Sequence, residues 1–226
     1  MNTISEGKEY LQPEEVKARI LSGGVIAIVR GDFRGQLLPM AEVLVEAGVP
    51  AIEVTMNSPD ALAAIKELVQ AVGDRLLVGA GTVIDPADVN RIAAVGGRFI
   101  VAPNVDAAVI QAAKEAGLLA IPGGYTATEI VTAWQWGADL VKLFPASAGG
   151  PGYLRAMRGP LSHIPLVPTG GVSSENAVAF MAAGAAALGI GGSLVNPDIL
   201  ETGGLERLRE RARLLMAAVA DGRQGG

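Results

Sequence analysis

Short runs of β-branched and aliphatic residues alternate along this chain with longer, Ala-rich segments whose apolar positions recur at helical spacing. The runs are Val25 to Val29, Ala51 to Thr55, Leu76 to Val78, Phe99 to Val101, Leu118 to Ile121, Leu140 to Leu143, Leu166 to Val167 and Ala187 to Ile190. Most carry no polar face, the pattern of parallel strands covered on both sides. The segments between them open on helix-start signals, as in Ser58-Pro59-Asp60, Asp85-Pro86 and Ser174-Glu175. Several close on glycine, at Gly48, Gly73, Gly96-Gly97, Gly117, Gly137 and Gly184. Eight repeats of roughly 20 to 30 residues predict an α/β fold, a single (β/α)8 TIM barrel, in preference to an open sheet. An extra N-terminal helix from about Pro13 to Leu21 is expected to cover the barrel bottom. The last helix is expected from about Leu205 to Ala220, with residues 1–11 and 221–226 as loose ends.

The length of 226 residues fits one barrel domain spanning 1–226, and no linker or low-complexity stretch divides it. Half the residues are hydrophobic and 18% are charged, which suits elements buried on more than one side. A net charge of −5 and the lack of a Lys/Arg block speak against a nucleic-acid partner. Asn176 to Pro197 contains no charged residue and could pass for a membrane span. Gly184 and the run Gly189-Ile190-Gly191-Gly192-Ser193 break it, so no membrane association is expected. The first residues lack the basic and apolar regions of a signal peptide, so the cytoplasm is the expected compartment. Cysteine is absent and His163, the one histidine, falls in a loop, so neither a metal site nor a disulfide framework is expected. No dinucleotide fingerprint follows the first strand and no serine triad has a base, so the chemistry is expected to need no cofactor.

Two ionisable residues interrupt otherwise apolar strands. Lys142 stands in Asp139-Leu140-Val141-Lys142-Leu143-Phe144-Pro145-Ala146, and Glu53 in Ala51-Ile52-Glu53-Val54-Thr55. A lysine held in apolar surroundings loses part of its charge and becomes an amine able to attack a carbonyl carbon. A carboxylate so placed moves toward neutrality and can both give and take protons. Structural roles stand beside these: Lys142 could snorkel to solvent from the strand end or pair with a buried carboxylate, and Glu53 could pair with Lys142 or Arg30. In a barrel the strand C-termini share one face, so Arg30, Glu53, Thr82, Lys142, Thr169-Gly170-Gly171 and Gly191-Gly192-Ser193 should converge. The two glycine turns follow strands seven and eight. Their N–H groups at Gly171 and Gly192, the Ser193 hydroxyl and a following helix N-terminus predict an anion site; ordinary turn chemistry is the alternative.

These residues resemble the class I aldolases of 2-keto-3-deoxy-6-phosphogluconate and 4-hydroxy-2-oxoglutarate, including the branch acting on the 6-phosphogalactonate epimer. The resemblance runs from Ile20 to Ala220. It is carried by Ile52-Glu53-Val54-Thr55, Gly79-Ala80-Gly81-Thr82-Val83, Val101-Ala102-Pro103-Asn104, Val141 to Ala146 and Pro168-Thr169-Gly170-Gly171-Val172. It implies a Schiff base at Lys142 and proton transfer by Glu53. Substrate contacts are implied for Arg30, Thr82, Phe144, Asn57 and Pro103, and phosphate binding for Thr169, Gly170, Gly171, Gly192 and Ser193. It also implies a small phosphorylated keto acid and pyruvate as ligands, and a homotrimer. Asn57 departs from a common pattern in which an arginine at that position holds the substrate carboxylate; Arg30 matches an arginine that other members carry at the end of strand one. The run Asn57-Ser58-Pro59 is closer to the galactonate branch. Tyr125 either faces the sugar chain or fills a loop. The alternatives are a phosphosugar epimerase or synthase that forms no Schiff base, and a non-catalytic binding protein.

Overall fold

The computed structural model describes residues 11–33 and 35–224. The expected loose ends at 1–10 and 225–226 lie outside the described residues. Six strands form a curled parallel sheet in the order β5-β4-β3-β2-β1-β9: β1 (Val25–Val29), β2 (Ala51–Thr55), β3 (Leu77–Gly81), β4 (Phe99–Val101), β5 (Leu119–Ile121) and β9 (Leu188–Ile190). A second parallel sheet orders β6 (Gly123–Gly124), β7 (Val141–Leu143) and β8 (Leu166–Pro168). Only Pro122 separates β5 from β6; it has no N–H to donate, but its carbonyl accepts from Lys142 N at 2.9 Å. On the other side, a bridge between Thr169 and Gly189 joins the end of β8 to β9.

Among the described residues nine α-helices pack around these strands: α1 (Pro13–Gly23), α2 (Leu37–Glu46), α3 (Ala61–Val72), α4 (Pro86–Ala94), α5 (Ala107–Glu115), α6 (Ala127–Gln135), α7 (Gly150–Arg158), α8 (Ser174–Ala182) and α9 (Gly204–Gln224). Of the starts read from sequence, Asp85-Pro86 recurs as read; α3 begins at Ala61 after Asp60, whose φ is +49° and whose side chain caps nothing, and α8 is capped by Ser173. Asp85 caps α4, its carboxylate accepting from Ala87 N, and Pro86 occupies the first turn. None of these helices is long and apolar enough to cross a membrane.

Strand periodicity splits the core in two. Val25, Ala27, Val29, Ile52, Val54 and Val141 face the helices in one large cluster. Ile26, Ala51, Leu77, Phe99, Leu119, Leu140, Val167 and Ala187 face inward and pack with Val16 and Ile20 of α1, the helix that closes this end. Side chains alternate along a strand, so the inward residue two places after Ala51 is Glu53, and two places after Leu140 is Lys142. Both therefore rise from the apolar interior toward the strand C-termini.

Two boundaries differ from expectation by more than two residues. β3 continues through Gly79-Ala80-Gly81, where glycine is a poor strand signal, because a side chain there would strike its neighbours. A Cβ on Gly79 would meet Phe99 at 2.6 Å, and one on Gly81 would meet Glu53 Oε1 at 2.2 Å. At the C-terminus, helix α9 runs on to Gln224 instead of stopping near Ala220. Gly222 is buried there against Val178 and Met181, and Arg223 donates to the carbonyls of Leu21 and Ser22 at the end of α1.

Candidate active site

A cleft of about 580 Å³ opens at the C-terminal ends of the strands, with Lys142 in its wall and Arg30, Thr82, Pro103, Phe144 and the two glycine turns around it. Lys142 is 6% exposed, and its ammonium lies 4.8 Å from the centroid of the Phe144 ring. Burial lowers its pKa from the usual lysine value; the Glu53 charge opposes that shift and the Arg30 charge adds to it. Glu53 is 2% exposed and sits across the β2–β3 pairing, where Gly81 leaves room for its carboxylate. Burial pushes its pKa up to about 7, with Lys142 and then Arg30 pulling it back down. Neither side chain has a hydrogen-bonding or ion-pair partner among the described residues. The result is an amine and a carboxyl group that feel each other's charge and both titrate closer to neutrality than in water.

Around the cleft's rim the groups are polar and more open. Arg30 Nη1 donates to Asn57 Oδ1 at 2.9 Å and Nη2 to Thr82 Oγ1 at 3.3 Å. Thr82 itself has φ +56°, a conformation that β-branched residues rarely adopt, so the backbone after β3 is strained where its hydroxyl meets the cleft. Opposite, Gly170 and Gly171 follow β8 with φ +88° and +77°. A Cβ on Gly171 would meet Ser147 at 2.6 Å and would not fit, and one on Gly170 would crowd Phe144 at 3.1 Å. Among the described residues the N–H groups of Gly171, Gly192 and Ser193, which line the cleft, donate to no protein acceptor. Helix α8 begins three residues beyond Gly171 and adds its positive end to the first turn.

With this geometry in place, residues 16–210 match the family model described as "Aldolase: KDPG and KHG aldolase". The chain belongs to the KDPG and KHG aldolase family. This aldolase is 40% identical over 171 residues to the 2-dehydro-3-deoxy-6-phosphogalactonate aldolase of Escherichia coli K12, covering 75% of this chain and 83% of that relative. Among solved structures it resembles one described as native KDPGal, with a TM-score of 0.83 and 37% identity over 88% of this chain and 96% of the other. It also resembles a KDPG aldolase from Legionella pneumophila with pyruvate captured as a covalent carbinolamine, with a TM-score of 0.80 and 30% identity over 92% of this chain and 98% of the other. As an aldolase it is a lyase acting on small molecules.

Several expected site residues stand differently in this aldolase from the sequence reading. Asn57 is not part of the cleft wall; it contacts Arg30. The Ser193 hydroxyl donates to the Val172 carbonyl at 2.7 Å and ties the two glycine turns together. Thr169 is buried at the cleft, and its hydroxyl donates to the Val167 carbonyl at 3.2 Å. The following helix N-terminus is that of α8, just after Gly171; beyond Ser193 a short 3-10 turn, Pro197–Leu200, precedes α9. Tyr125 stacks on Tyr153 at 4.7 Å between ring centroids and lies outside the cleft wall. His163 is exposed beside Trp134. Among the described residues no group of His, Asp and Glu side chains could hold a metal ion.

Sequence reading missed Ser173, which lines the cleft and caps α8. The signal was present: Ser173 and Asn176 form a capping box one residue before the cap read at Ser174. It also missed the buried pair Thr55 and Ser58, whose hydroxyl oxygens are 2.9 Å apart, and the acceptance by Ser58 Oγ of the Gly31 N–H at 3.0 Å. Nothing in the order of residues announces that contact.

Proposed function

We propose that this enzyme is a class I aldolase. It reversibly cleaves a 2-keto-3-deoxy-6-phospho sugar acid to pyruvate and glyceraldehyde 3-phosphate, without a metal or organic cofactor, and splits 4-hydroxy-2-oxoglutarate to pyruvate and glyoxylate by the same steps. One observation carries the reading: Lys142 lines the cleft and feels the charge of Glu53, which is buried outside the lining wall, and burial moves both groups toward neutrality.

Neutral Lys142 attacks the C2 carbonyl carbon, and a proton passes from its nitrogen to the carbonyl oxygen to give a carbinolamine. Glu53 as an acid protonates that hydroxyl, water leaves, and a protonated imine remains. Glu53, now a carboxylate, takes up the C4 hydroxyl proton as the C3–C4 bond breaks. The electron pair of that bond flows into the imine to form an enamine, and the aldehyde departs. Glu53, having regained a proton, delivers it to the enamine carbon, and water hydrolyses the imine to free pyruvate and the amine. Arg30 and Thr82 hold the keto-acid carboxylate, Phe144 and Pro103 flank the pyruvyl unit, and Gly170, Gly171, Gly192 and Ser193 take the phosphate, with Thr169 shaping the wall between.

The two sheets act as one closed (β/α)8 barrel in this reading, β5 and β6 counting as one strand position. The Thr169–Gly189 bridge and the continuity of β5 with β6 support it. Asn57 in place of an arginine favours the galactonate epimer as the better substrate. The test is steady-state cleavage of the synthetic gluconate and galactonate epimers, with pyruvate measured by a coupled dehydrogenase. Both should be cleaved, the galactonate form with the higher kcat/KM; release of pyruvate from neither would overturn the assignment. The sequence resemblance further supports a cytoplasmic homotrimer. Analytical ultracentrifugation should give three times the 23.1 kDa chain mass, and a stable single-chain mass would count against it.

A further inference from the structure

The turn between β2 and α3 carries two side chains that reach the end of β1. Asn57 Oδ1 accepts from the Arg30 guanidinium at 2.9 Å, and Ser58 Oγ accepts from the next backbone amide, Gly31 N, at 3.0 Å. Ser58 is itself fixed, being buried and hydrogen-bonded to the fully buried Thr55 at 2.9 Å. So one turn grips both the head and the root of the same arginine. Gly31 has φ +116°, and a held amide is what keeps this permissive residue from swinging Arg30 away from the cleft.

Both oxygens on the guanidinium, Asn57 Oδ1 and Thr82 Oγ1, belong to uncharged groups. A carboxylate in either place would neutralise the arginine and compete with an anionic ligand; a neutral oxygen orients it and leaves its charge intact. This differs from Arg75 and Arg209 elsewhere on the surface, each of which is tied to glutamates.

We propose that Asn57 is a positioning residue that aims Arg30 without neutralising it, Ser58 latching the backbone behind. Its uncharged amide, more than its hydrogen bond, sets the affinity for the substrate carboxylate. The inference rests on the reading that Arg30 binds that carboxylate.

The test uses the whole enzyme and pyruvate, a ligand with a carboxylate and no phosphate. KM and kcat for exchange of the pyruvate methyl protons with deuterated water are measured by NMR for the native protein, Asn57→Ala, Asn57→Asp and Arg30→Ala. Ala removes the hydrogen bond and keeps the arginine charge available; Asp keeps the hydrogen bond and cancels the charge. The expected order of KM is native, then Ala about 3-fold higher, then Asp about 10-fold or more higher, as a tenfold change follows from a modest charge interaction at the surface. The change in KM should exceed that in kcat for both variants, and thermal unfolding shows that each is folded. A merely structural Asn57 would reverse the order, with Asp milder than Ala, and that result overturns the proposal. An Asp variant with native KM beside an Arg30→Ala variant with raised KM overturns it while sparing the role of Arg30. Native KM in all three variants removes the role of Arg30 itself, and this inference with it.

Discussion

Two buried carboxylates, Glu53 and Asp139, sit near lysines in the same strand system and meet opposite fates. Asp139 is 6% exposed, just before β7; it accepts from Lys114 Nζ at 2.7 Å and from Ala120 N at 2.8 Å. Each oxygen has a donor, so burial costs little and the group holds α5 and β5 in place. Glu53 is buried as deeply without such donors, and its pKa rises to about 7. Lys142 lies three residues after Asp139, on the inward side. The lesson is that partners, more than burial, divide a structural ion pair from a reactive one: full satisfaction fixes a charge, and its lack makes the proton mobile.

Replacing the two lysines should separate these regions most sharply. Lys142→Met should lower aldol cleavage by at least about 10,000-fold, as loss of a covalent nucleophile does, with the fold intact by circular dichroism. Lys114→Met should leave kcat near the native value yet destabilise the protein by roughly 1 to 3 kcal/mol in urea unfolding, a discounted figure because Lys114 is 37% exposed. If Lys114→Met lost activity while Lys142→Met kept it, the division would be reversed.

Glu53→Gln comes next, because it acts on both chemistry and stability. Exchange of pyruvate methyl protons should fall by about 100-fold or more. In the native enzyme the same exchange should rise with pH through about 7, as Glu53 becomes the base. The stability effect has the opposite sign. Between the unfolded value of 4.5 and about 7 the folded state keeps a proton that the unfolded chain has lost, so the Glu53 contribution falls as pH rises and stays lost above that window. Glu53→Gln should therefore stabilise the fold at pH 8, by on the order of 3 kcal/mol, and have no such effect at pH 4. Equal effects at both pH values would show that Glu53 is no strained carboxyl group.

The smallest effect concerns the rim. Ser58→Ala strands the Gly31 N–H and the buried Thr55 hydroxyl and should cost roughly 1 to 2 kcal/mol of stability in urea unfolding. An unchanged midpoint would show that the turn does not hold β1.

The buried pair was legible in the sequence because a charge in an apolar strand is a local anomaly, visible at Lys142 and Glu53 without knowledge of any neighbour. The alternation of strands and helices was legible for the same reason, as periodicity is local. What escaped depends on contacts between distant segments. β3 runs through Gly79 and Gly81 because Phe99 and Glu53 need the space, and α9 reaches Gln224 because Arg223 meets the end of α1. Asn57 read as a ligand for substrate from its place in a motif; only the fold brings Arg30 against it. Ser193 read as a hydroxyl donor to an anion, but the Val172 carbonyl lies within its reach.

The central claim is that Lys142 forms a covalent imine because it is an amine held beside a proton-bearing carboxyl group. Incubating the enzyme with pyruvate and borohydride at neutral pH, then mapping the digest by mass spectrometry, tests it directly. The account predicts one reduced pyruvyl adduct per chain, on the peptide containing Lys142. An adduct on another lysine, or none at all, would contradict it.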